Sequence, residues 1–241
     1  MRIVDGIYLV GGDGYNLSSG CNVYVVDAGD ELFLIDIGHK SDVKSIEENL
    51  MEEGMKPKDI SIILITHSHL DHAGGAAEAK QAFNSKIAAN ELTAKNLEVS
   101  LQKKGEAFTQ DDVEIKLCGG EVLRSGDLEI EVLNTPGHTR EGGDLCYKIE
   151  MDGKIILFSG DTAFKCWGGL MGGHPVSAWL GSVSLEEAEI YLKTLKNLQE
   201  TVKPDILLPG HWLLALRDGW KELRECATVV SKHIKENLIK E

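Results

Sequence analysis

The stretch THSHLDH at residues 66–72 constrains this chain more than any other part of its sequence. Three histidines and an aspartate fall within seven residues, directly after a run of four apolar residues. Alternate side chains of an extended chain point the same way, so His67 and His69 face one spot. A turn then brings Asp71 and His72 to a second spot. Imidazole nitrogens and carboxylate oxygens are good ligands for zinc and other first-row divalent metals, so the stretch predicts metal binding.

Three further motifs place the same ligand types just after predicted strands. They are TPGHT with His138, FSGDT with Asp161 and LLPGH with His211. The ends of strands are where a rigid scaffold presents functional groups. A glycine precedes each ligand (Gly137, Gly160 and Gly210), which permits tight turns and close backbone approach. Together with the first motif, these positions offer five histidines and two aspartates, which is enough for two metal ions.

The order THSHLDH, PGHT, SGDT and PGH resembles the metallo-β-lactamase superfamily over roughly residues 5–212. The resemblance implies an α+β fold, an αββα sandwich of two packed mixed β-sheets with helices on the outer faces and the site at one edge. It implies two metal positions that share one ligand. His67, His69 and His138 would hold the first metal, Asp71, His72 and His211 the second, and Asp161 would bridge them. Asp36, in the stretch LIDIG, would orient a ligand histidine.

The activity implied by the resemblance is hydrolysis by a hydroxide shared between two divalent metal ions, with Zn²⁺ favoured over Fe or Mn. Two aspartates are the expected catalytic residues. Asp161 is the shared ligand, and Asp71 orients the nucleophile or shuttles its proton. No serine or cysteine nucleophile is required, so Cys146 and Cys166 are interpreted as buried or spectator thiols.

Several features narrow the substrate to a small thioester, lactone or ester. Asp161 stands where β-lactamases of the superfamily usually have Cys or Ser, which disfavours antibiotic hydrolysis. Only 30 residues follow His211, which disfavours the glutathione specificity of glyoxalase II. Phe164 stands where acyl-homoserine lactonases often have Tyr. The alternatives are a mononuclear iron persulfide dioxygenase-like enzyme, a phosphodiesterase of the same superfamily, and a redox or binding protein without hydrolytic activity.

Composition limits the partners and the compartment. The formal net charge of −14 disfavours nucleic acid and anionic membranes as partners, because phosphate groups are bound by clustered Lys and Arg. No run approaches the ~20 apolar residues of a membrane span. The N-terminus does not resemble a signal peptide, and the five cysteines form no C-x-x-C pair. We therefore expect a cytoplasmic protein that acts on a small molecule, and the terminal helix leaves a homodimer open as its assembly.

The chain lacks repeats and Pro/Ser-rich linkers, so we expect one domain over residues 1–241 with a terminal helix at about 217–238. Residues 184–202 are predicted to form an amphipathic helix with a capping box of Ser184 and Glu187. Predicted strands are 6–10, 22–26, 31–35, 61–65, 113–117, 128–133, 145–149, 154–158 and 205–208, and further predicted helices are 41–54, 75–83 and 91–102. The segment 165–181 is either a pocket wall, with Trp167, Met171, Trp179 and His174, or an ordinary loop. His39 is a candidate support for the site.

Overall fold

A computed structural model describes residues 1–12, 20–165 and 175–238, and they form two β-sheets with seven helices. The first sheet contains β1 (Arg2–Val4), β2 (Ile7–Gly11), β3 (Val23–Asp27), β4 (Leu32–Ile35), β5 (Ile60–Leu64), β6 (Lys86–Asn90) and β7 (Ile115–Leu117). The second contains β8 (Val122–Ser125), β9 (Leu128–Asn134), β10 (Leu145–Met151), β11 (Lys154–Gly160) and β12 (Ile206–Pro209). The helices are α1 (Val43–Glu52), α2 (Leu70–Ala73), α3 (Ala76–Phe83), α4 (Glu91–Lys103), α5 (Pro175–Leu180), α6 (Leu185–Thr201) and α7 (Gly219–Leu238).

Both sheets are mixed. In the first, the strands lie side by side in chain order, antiparallel from β1 to β4 and parallel from β4 to β7. In the second, the order is β12-β11-β10-β9-β8, and only the β11–β12 pair is parallel. Parallel strands need long crossovers, and helices supply them in this chain. The parallel strands therefore end at a common edge in each sheet.

The two sheets pack face to face through a continuous apolar layer. In β4, Phe33 and Ile35 point into this layer, whereas Leu32 and Leu34 point to the opposite face. Tyr24 of the first sheet meets Phe158 of the second with ring centroids 5.5 Å apart. Both faces of β4 are covered, so a strand with no polar residue is stable there.

Helices cover the two outer faces. Side chains of α1, α3 and α4 form one core cluster with the first sheet, and side chains of α5, α6 and α7 form another with the second sheet. The predicted capping box of α6 is confirmed: Ser184 Oγ accepts the Glu187 N–H, and Glu187 Oε2 accepts the Ser184 N–H. This arrangement confirms the expected αββα sandwich. The single domain over residues 1–241 stays a prediction.

The structure corrects several expected boundaries and adds elements. The strand expected from Val113 begins at Ile115, because a 3₁₀ turn over Gln110–Asp112 ends at Val113. The terminal helix begins at Gly219 rather than at residue 217. The elements β1, β6, β8, α2 and α5 were not predicted. In β6, KIAAN, two alanines weaken the strand signal, and it is the pairing with β5 and β7 that makes this segment a strand. None of the described helices is both long and apolar enough to cross a membrane.

Candidate metal centre

The predicted ligands leave the ends of four strands in two sheets. The stretch 66–72 follows β5 of the first sheet, whereas His138, Asp161 and His211 follow β9, β11 and β12 of the second. The short helix α2 begins inside the first motif and carries Asp71 and His72 around a turn. The structure brings all seven side chains together at one edge of the sandwich.

Three histidines form what we call the first half of the centre. The Nδ1 atom of His69 lies 3.1 Å from Nε2 of His67 and 3.1 Å from Nε2 of His138. His67 is buried, His138 is partly buried and His69 is exposed. In this half, solvent therefore reaches the centre from the side of His69 and is excluded from the side of His67.

Asp71, His72 and His211 form the second half. The Nε2 atom of His211 lies 3.1 Å from Nε2 of His72 and 3.1 Å from Oδ2 of Asp71. His72 has no exposed surface, whereas the side chain of Asp71 is 33% exposed. Like the first half, this one combines a buried histidine with a more exposed residue. We call the buried side of the centre, at His67 and His72, its floor, and the exposed side, at His69 and Asp71, its rim.

Asp161 lies between the two halves. Its Oδ1 atom is 3.2 Å from His72 Nε2, and its Oδ2 atom is 3.4 Å from His138 Nε2 and 3.7 Å from His211 Nε2. Burial alone would raise the pKa of the Asp161 carboxyl, but the neighbouring His72, His138 and His211 hold that pKa well below its usual range. An ionised carboxylate between the two halves, with Oδ2 near a histidine of each, has the form of a bridging ligand.

The donor set fits a pair of divalent metal ions. Tetrahedral zinc with bonds of about 2.0–2.1 Å to nitrogen separates neighbouring ligand atoms by about 3.3 Å, close to the spacings in both halves. Asp161 Oδ1 is buried and makes no hydrogen bond with any described residue. An orphaned buried carboxylate oxygen is costly unless a cation satisfies it. A metal shared between these lone pairs removes that cost.

Three connected hydrogen bonds orient two of the histidines so that the Nε2 atom of each faces the centre. Thr66 Oγ1 donates to Asp36 Oδ2 (2.8 Å), so the hydroxyl accepts from Nδ1–H of His67 (3.0 Å). The same Asp36 oxygen accepts from Nδ1–H of His72 (2.8 Å). Both histidines then direct Nε2, rather than Nδ1, at the centre, where a metal ion would take the place of any proton on it. Asp36 thus orients a ligand histidine, as the resemblance implies, and it reaches both halves.

The charges around the centre favour a cation. Burial opposes an imidazolium at His72, yet the neighbouring carboxylates of Asp161 and Asp36 raise the pKa of His72 well above its usual value. Burial lowers the pKa of His138 to about 4, so its lone pair is available at neutral pH. For Asp71, the hydrogen bond from His211 and the charge of His72 outweigh burial and lower the pKa to about 2.

Four buried side chains that sequence reasoning missed hold the turns carrying the ligands. The hydroxyls of Tyr147, Tyr24 and Tyr191 donate to the carbonyls of Ile65, Pro209 and Thr162, respectively, at 2.6–2.7 Å. Asp144 accepts the backbone N–H groups of Gly137 and Thr139, which flank His138. A polar group on an otherwise apolar strand, as with Tyr24 in NVYVV and Tyr147 in LCYKI, was the available signal.

Two glycines permit the close approach of the ligand-bearing turns. A Cβ atom at Gly210 would lie 2.4 Å from His72 Cε1 and 2.6 Å from Asp161 Oδ1. Gly160 has φ +47°, and a Cβ atom there would lie 2.7 Å from Thr66 Oγ1. A side chain at either position would push the two halves apart.

The remaining candidate residues lie at varied distances from the centre. Trp179 stacks beside His138 at a centroid distance of 6.2 Å, and its indole N–H donates to the His138 carbonyl. His39 begins a 3₁₀ turn and belongs to none of the ligand groups found among the described residues. Cys146 is buried, as interpreted from the sequence. Cys166, Trp167, Met171 and His174 lie outside the described residues.

One neighbour of the centre was not anticipated. The Cys21 thiol, together with ligand atoms of Asp36 and His72, forms a buried group whose atoms lie within 4.8 Å of one another. Burial raises the pKa of this thiol to about 11, so it is protonated at neutral pH. Cys21 therefore lines the floor beneath His72 as a neutral group.

Comparison with known proteins places these observations in a family. The family model described as "Metallo-beta-lactamase superfamily" matches residues 18–211. A hydroxyacylglutathione hydrolase of Rhodopseudomonas palustris is 37% identical over 117 residues, which are 48% of this chain and 38% of that protein. An atrochrysone carboxyl ACP thioesterase of Aspergillus fumigatus is 26% identical over 204 residues, which are 84% of this chain and 54% of that protein. The matched parts thus span well under two thirds of either relative.

Solved structures share the whole architecture. A subclass B3 metallo-beta-lactamase of Bradyrhizobium japonicum superposes with a TM-score of 0.73 at 25% identity, covering 100% of this chain and 93% of that one. A mutant metallo-beta-lactamase from Legionella gormanii gives a TM-score of 0.74 at 20% identity, covering 99% and 94%. The second likeness shows the fold alone. The motif order, the converged ligand set and a family match over most of the sequence agree: the chain belongs to the metallo-beta-lactamase superfamily.

Proposed function

We propose that this protein is a hydrolase that holds two divalent metal ions, zinc in the first place, and cleaves a small thioester, lactone or ester. One observation carries the proposal. Seven donor side chains converge at one edge of the sandwich, and the ionised carboxylate of Asp161 lies between the two halves, within 3.7 Å of a histidine of each. His67, His69 and His138 would hold one ion, Asp71, His72 and His211 the other, and Asp161 both.

The chain prepares the centre for this chemistry. When bound, a pair of divalent ions supplies a Lewis acid for the substrate oxygen and an activated water at neutral pH. Asp36 and Thr66 engage the Nδ1 atoms of His72 and His67, so that Nε2 of each is left to bind a metal ion. The buried floor excludes bulk water beneath the centre, and the rim at His69 and Asp71 admits the substrate.

Asp71 is placed to act on the attacking water. Its Oδ2 atom lies 3.1 Å from His211 Nε2, which leaves Oδ1 to accept a hydrogen bond from the water. The low pKa of Asp71 keeps it ionised at neutral pH, and it also makes the carboxylate a weak base. Its main contribution is therefore to orient the water. A carboxylate of such low basicity would accept a proton only from a water whose own pKa the bound metals have lowered.

The substrate class rests on resemblance and on charge. Two relatives carry the names of a hydroxyacylglutathione hydrolase and an ACP thioesterase, which support a thioester as first choice. The net charge of −14 favours a substrate without a large anionic part. Asp161 stands where β-lactamases of the superfamily usually have Cys or Ser, so we expect weak β-lactam hydrolysis despite the structural likeness to a subclass B3 enzyme.

Metal analysis tests the proposed centre. Purified protein is stripped with a chelator, reloaded with zinc, iron or manganese, and its bound metal is counted by mass spectrometry. We expect about two zinc equivalents per chain and hydrolysis that is lost with the metals and restored by zinc. One iron equivalent with oxygen consumption on a persulfide would overturn the proposal and favour the dioxygenase.

A substrate panel tests the reaction. Metal-defined protein is assayed with an acyl thioester, a lactone, an aryl ester, a phosphodiester and a β-lactam. We expect the carbonyl substrates to be cleaved at least about tenfold faster than the phosphodiester, because the acyl group is the proposed target. The opposite ranking would support a phosphodiesterase in place of the proposed activity, and a ranking led by the β-lactam would contradict the role assigned to Asp161.

A further inference from the structure

Trp212, the residue directly after the ligand His211, has a strained backbone. Its φ is +62°, in the left-handed region that bulky residues avoid. Among the described residues, six non-glycine residues have positive φ, and four of them are Asp or Asn, which tolerate it. A tryptophan held in this conformation persists only where the surrounding structure imposes it, and such strain clusters at functional sites.

The strained backbone places an indole at the rim of the centre. The Trp212 ring lies 5.6 Å from the His211 ring and 4.9 Å from Phe164, between centroids. Trp212 and the adjacent Leu213 are each 43% exposed. Two large apolar side chains thus face solvent beside the second half of the metal centre.

Hydrogen bonds to three residues of the segment 212–215 hold its backbone in place. The Asn22 side-chain amide donates to the Trp212 carbonyl (3.3 Å), and Lys165 Nζ donates to the Leu214 carbonyl (3.2 Å). Ala215 pairs with Leu207 of β12 through two backbone hydrogen bonds. The turn is therefore anchored at both ends, and the indole is presented outward by the backbone.

We propose that Trp212 and Leu213 form a subsite for the hydrocarbon chain of an acyl substrate whose carbonyl lies at the metal centre. This inference rests on the proposed function and specifies its substrate class. Apolar surface next to a polar centre gains free energy only from an apolar group. Neither the Trp212 indole nor the Leu213 side chain carries a charge that could pair with an anionic group. The acyl part is therefore a neutral aliphatic chain.

Binding of straight-chain carboxylates tests the subsite without requiring turnover. Acetate, butanoate, hexanoate and octanoate are titrated into zinc-loaded protein by calorimetry, because each carries the carboxylate of a hydrolysis product on a longer chain. We expect octanoate to bind at least about tenfold more tightly than butanoate, since each half-buried methylene contributes about a factor of two. Equal affinity along the series would overturn the inference.

Two tryptophan variants identify where the chain binds. Trp212→Gly removes the indole and fits the positive φ, so we expect a melting temperature at or above that of the parent and an affinity ratio of octanoate to butanoate near unity. Trp212→Asn, which also tolerates this φ, is the second variant if the glycine loosens the turn. Trp220→Ala is the matched control, because Trp220 is 38% exposed but contacts Lys221 and Arg224 rather than a metal-ligating residue.

The outcomes separate this inference from the proposed function. Loss of length dependence in both Trp212 variants, with retention in Trp220→Ala, supports the subsite. Unchanged length dependence in the Trp212 variants, or an equal loss in the control, overturns it. Hydrolysis of an acetyl thioester by the zinc-loaded parent is measured separately. Its absence contradicts the proposed function, whereas the binding series reports on the subsite alone.

Discussion

The two halves of the metal centre are supported by different chemistry. In the second half, His72 is fully buried and donates Nδ1–H directly to the carboxylate of Asp36. In the first half, His67 reaches the same carboxylate only through the hydroxyl of Thr66. A charged acceptor strengthens a hydrogen bond roughly twofold over a neutral one. The second half should therefore depend more strongly on its support than the first.

The two halves also share their foundations. Asp161 lies between the two halves. Asp36 is hydrogen-bonded to His72 of the second half and, through Thr66, to His67 of the first. A defect confined to one half is thus possible only through a residue that serves that half alone. Substitutions at shared and unshared positions should therefore give different patterns of metal loss.

The largest effect is expected at the shared ligand. Asp161→Ala removes the carboxylate that lies between the two halves, so we expect one metal equivalent to be lost and turnover to fall at least about 100-fold. Metal content by mass spectrometry and kcat/KM with a thioester measure this. Asp161→Asn keeps the shape of the side chain without its charge. Its metal content and turnover should therefore lie between those of the parent and those of Asp161→Ala. Retention of both metals and of full activity in the alanine variant would contradict the bridging role.

A smaller effect, centred on the second half, is expected from Asp36→Asn. Asparagine tolerates the φ of +59° at this position, but if its oxygen accepts from His72 and the Thr66 hydroxyl, its NH2 group faces the Thr66 backbone N–H that Asp36 Oδ1 accepts. Loss of such a supporting carboxylate typically costs 10–100-fold in metal affinity, as a rough guide. Competition with a fluorescent zinc chelator gives the two affinities.

The control for Asp36→Asn is a buried aspartate that serves another turn. Asp42 is also buried, and its carboxylate accepts the backbone N–H of His39 rather than a ligand imidazole. We expect Asp42→Asn to affect stability and to leave both zinc affinities within about twofold of the parent. Equal weakening by both variants would show that Asp36 acts through general stability.

The sequence indicated the candidate ligands far better than the groups that support them. His67, His138 and the other ligands lie in short motifs at strand ends, where the residue type itself indicates the chemistry. The supporting residues Thr66, Tyr147 and Asp144 are of types that do not by themselves indicate metal chemistry. Their partners are backbone groups or residues distant in the chain. Such partners depend on how strands pair in three dimensions, which local pattern does not determine.

The fold shows the same division. The αββα architecture could be predicted because the motif set implied it and because apolar strands alternate with capped helices. The strand β6 could not, since KIAAN has weak β propensity and becomes a strand through its neighbours. The strained Trp212 was likewise invisible, because nothing in LLPGHWLL indicates which residue takes a positive φ.

An effect limited to the first half is expected from Thr66→Val. Valine keeps the branched shape and removes the hydroxyl that accepts from His67 Nδ1 and donates to Asp36. We expect about a tenfold loss of affinity for one zinc ion and less than a threefold change for the other. Thr66→Ser retains the hydroxyl and should behave as the parent does. Equal losses at both sites would show that Thr66 acts on the shared Asp36.

The smallest effect on metal binding, a few-fold change confined to the first half, is expected from Asp144→Asn. Asp144 contacts the turn around His138 through the N–H groups of Gly137 and Thr139, and no metal-ligating side chain touches it directly. The same variant has a clearer signature in the pH dependence of stability. Burial raises the pKa of Asp144 from 3.8 to about 6, so the folded protein holds a proton there that the unfolded chain releases.

The sign of this pH dependence follows directly. Because the folded pKa lies above the unfolded one, the contribution of Asp144 to stability is fully present below pH 3.8 and is lost as pH rises through 6. The metal-free parent should therefore lose roughly 2 kcal/mol of unfolding free energy relative to Asp144→Asn between about pH 4 and pH 6. Urea denaturation of both proteins across that range measures the difference, in which the titration of groups common to both cancels. A difference that is flat with pH would contradict the raised pKa and would mean that the hydrogen bonds from Gly137 and Thr139 offset the cost of burying the Asp144 carboxylate.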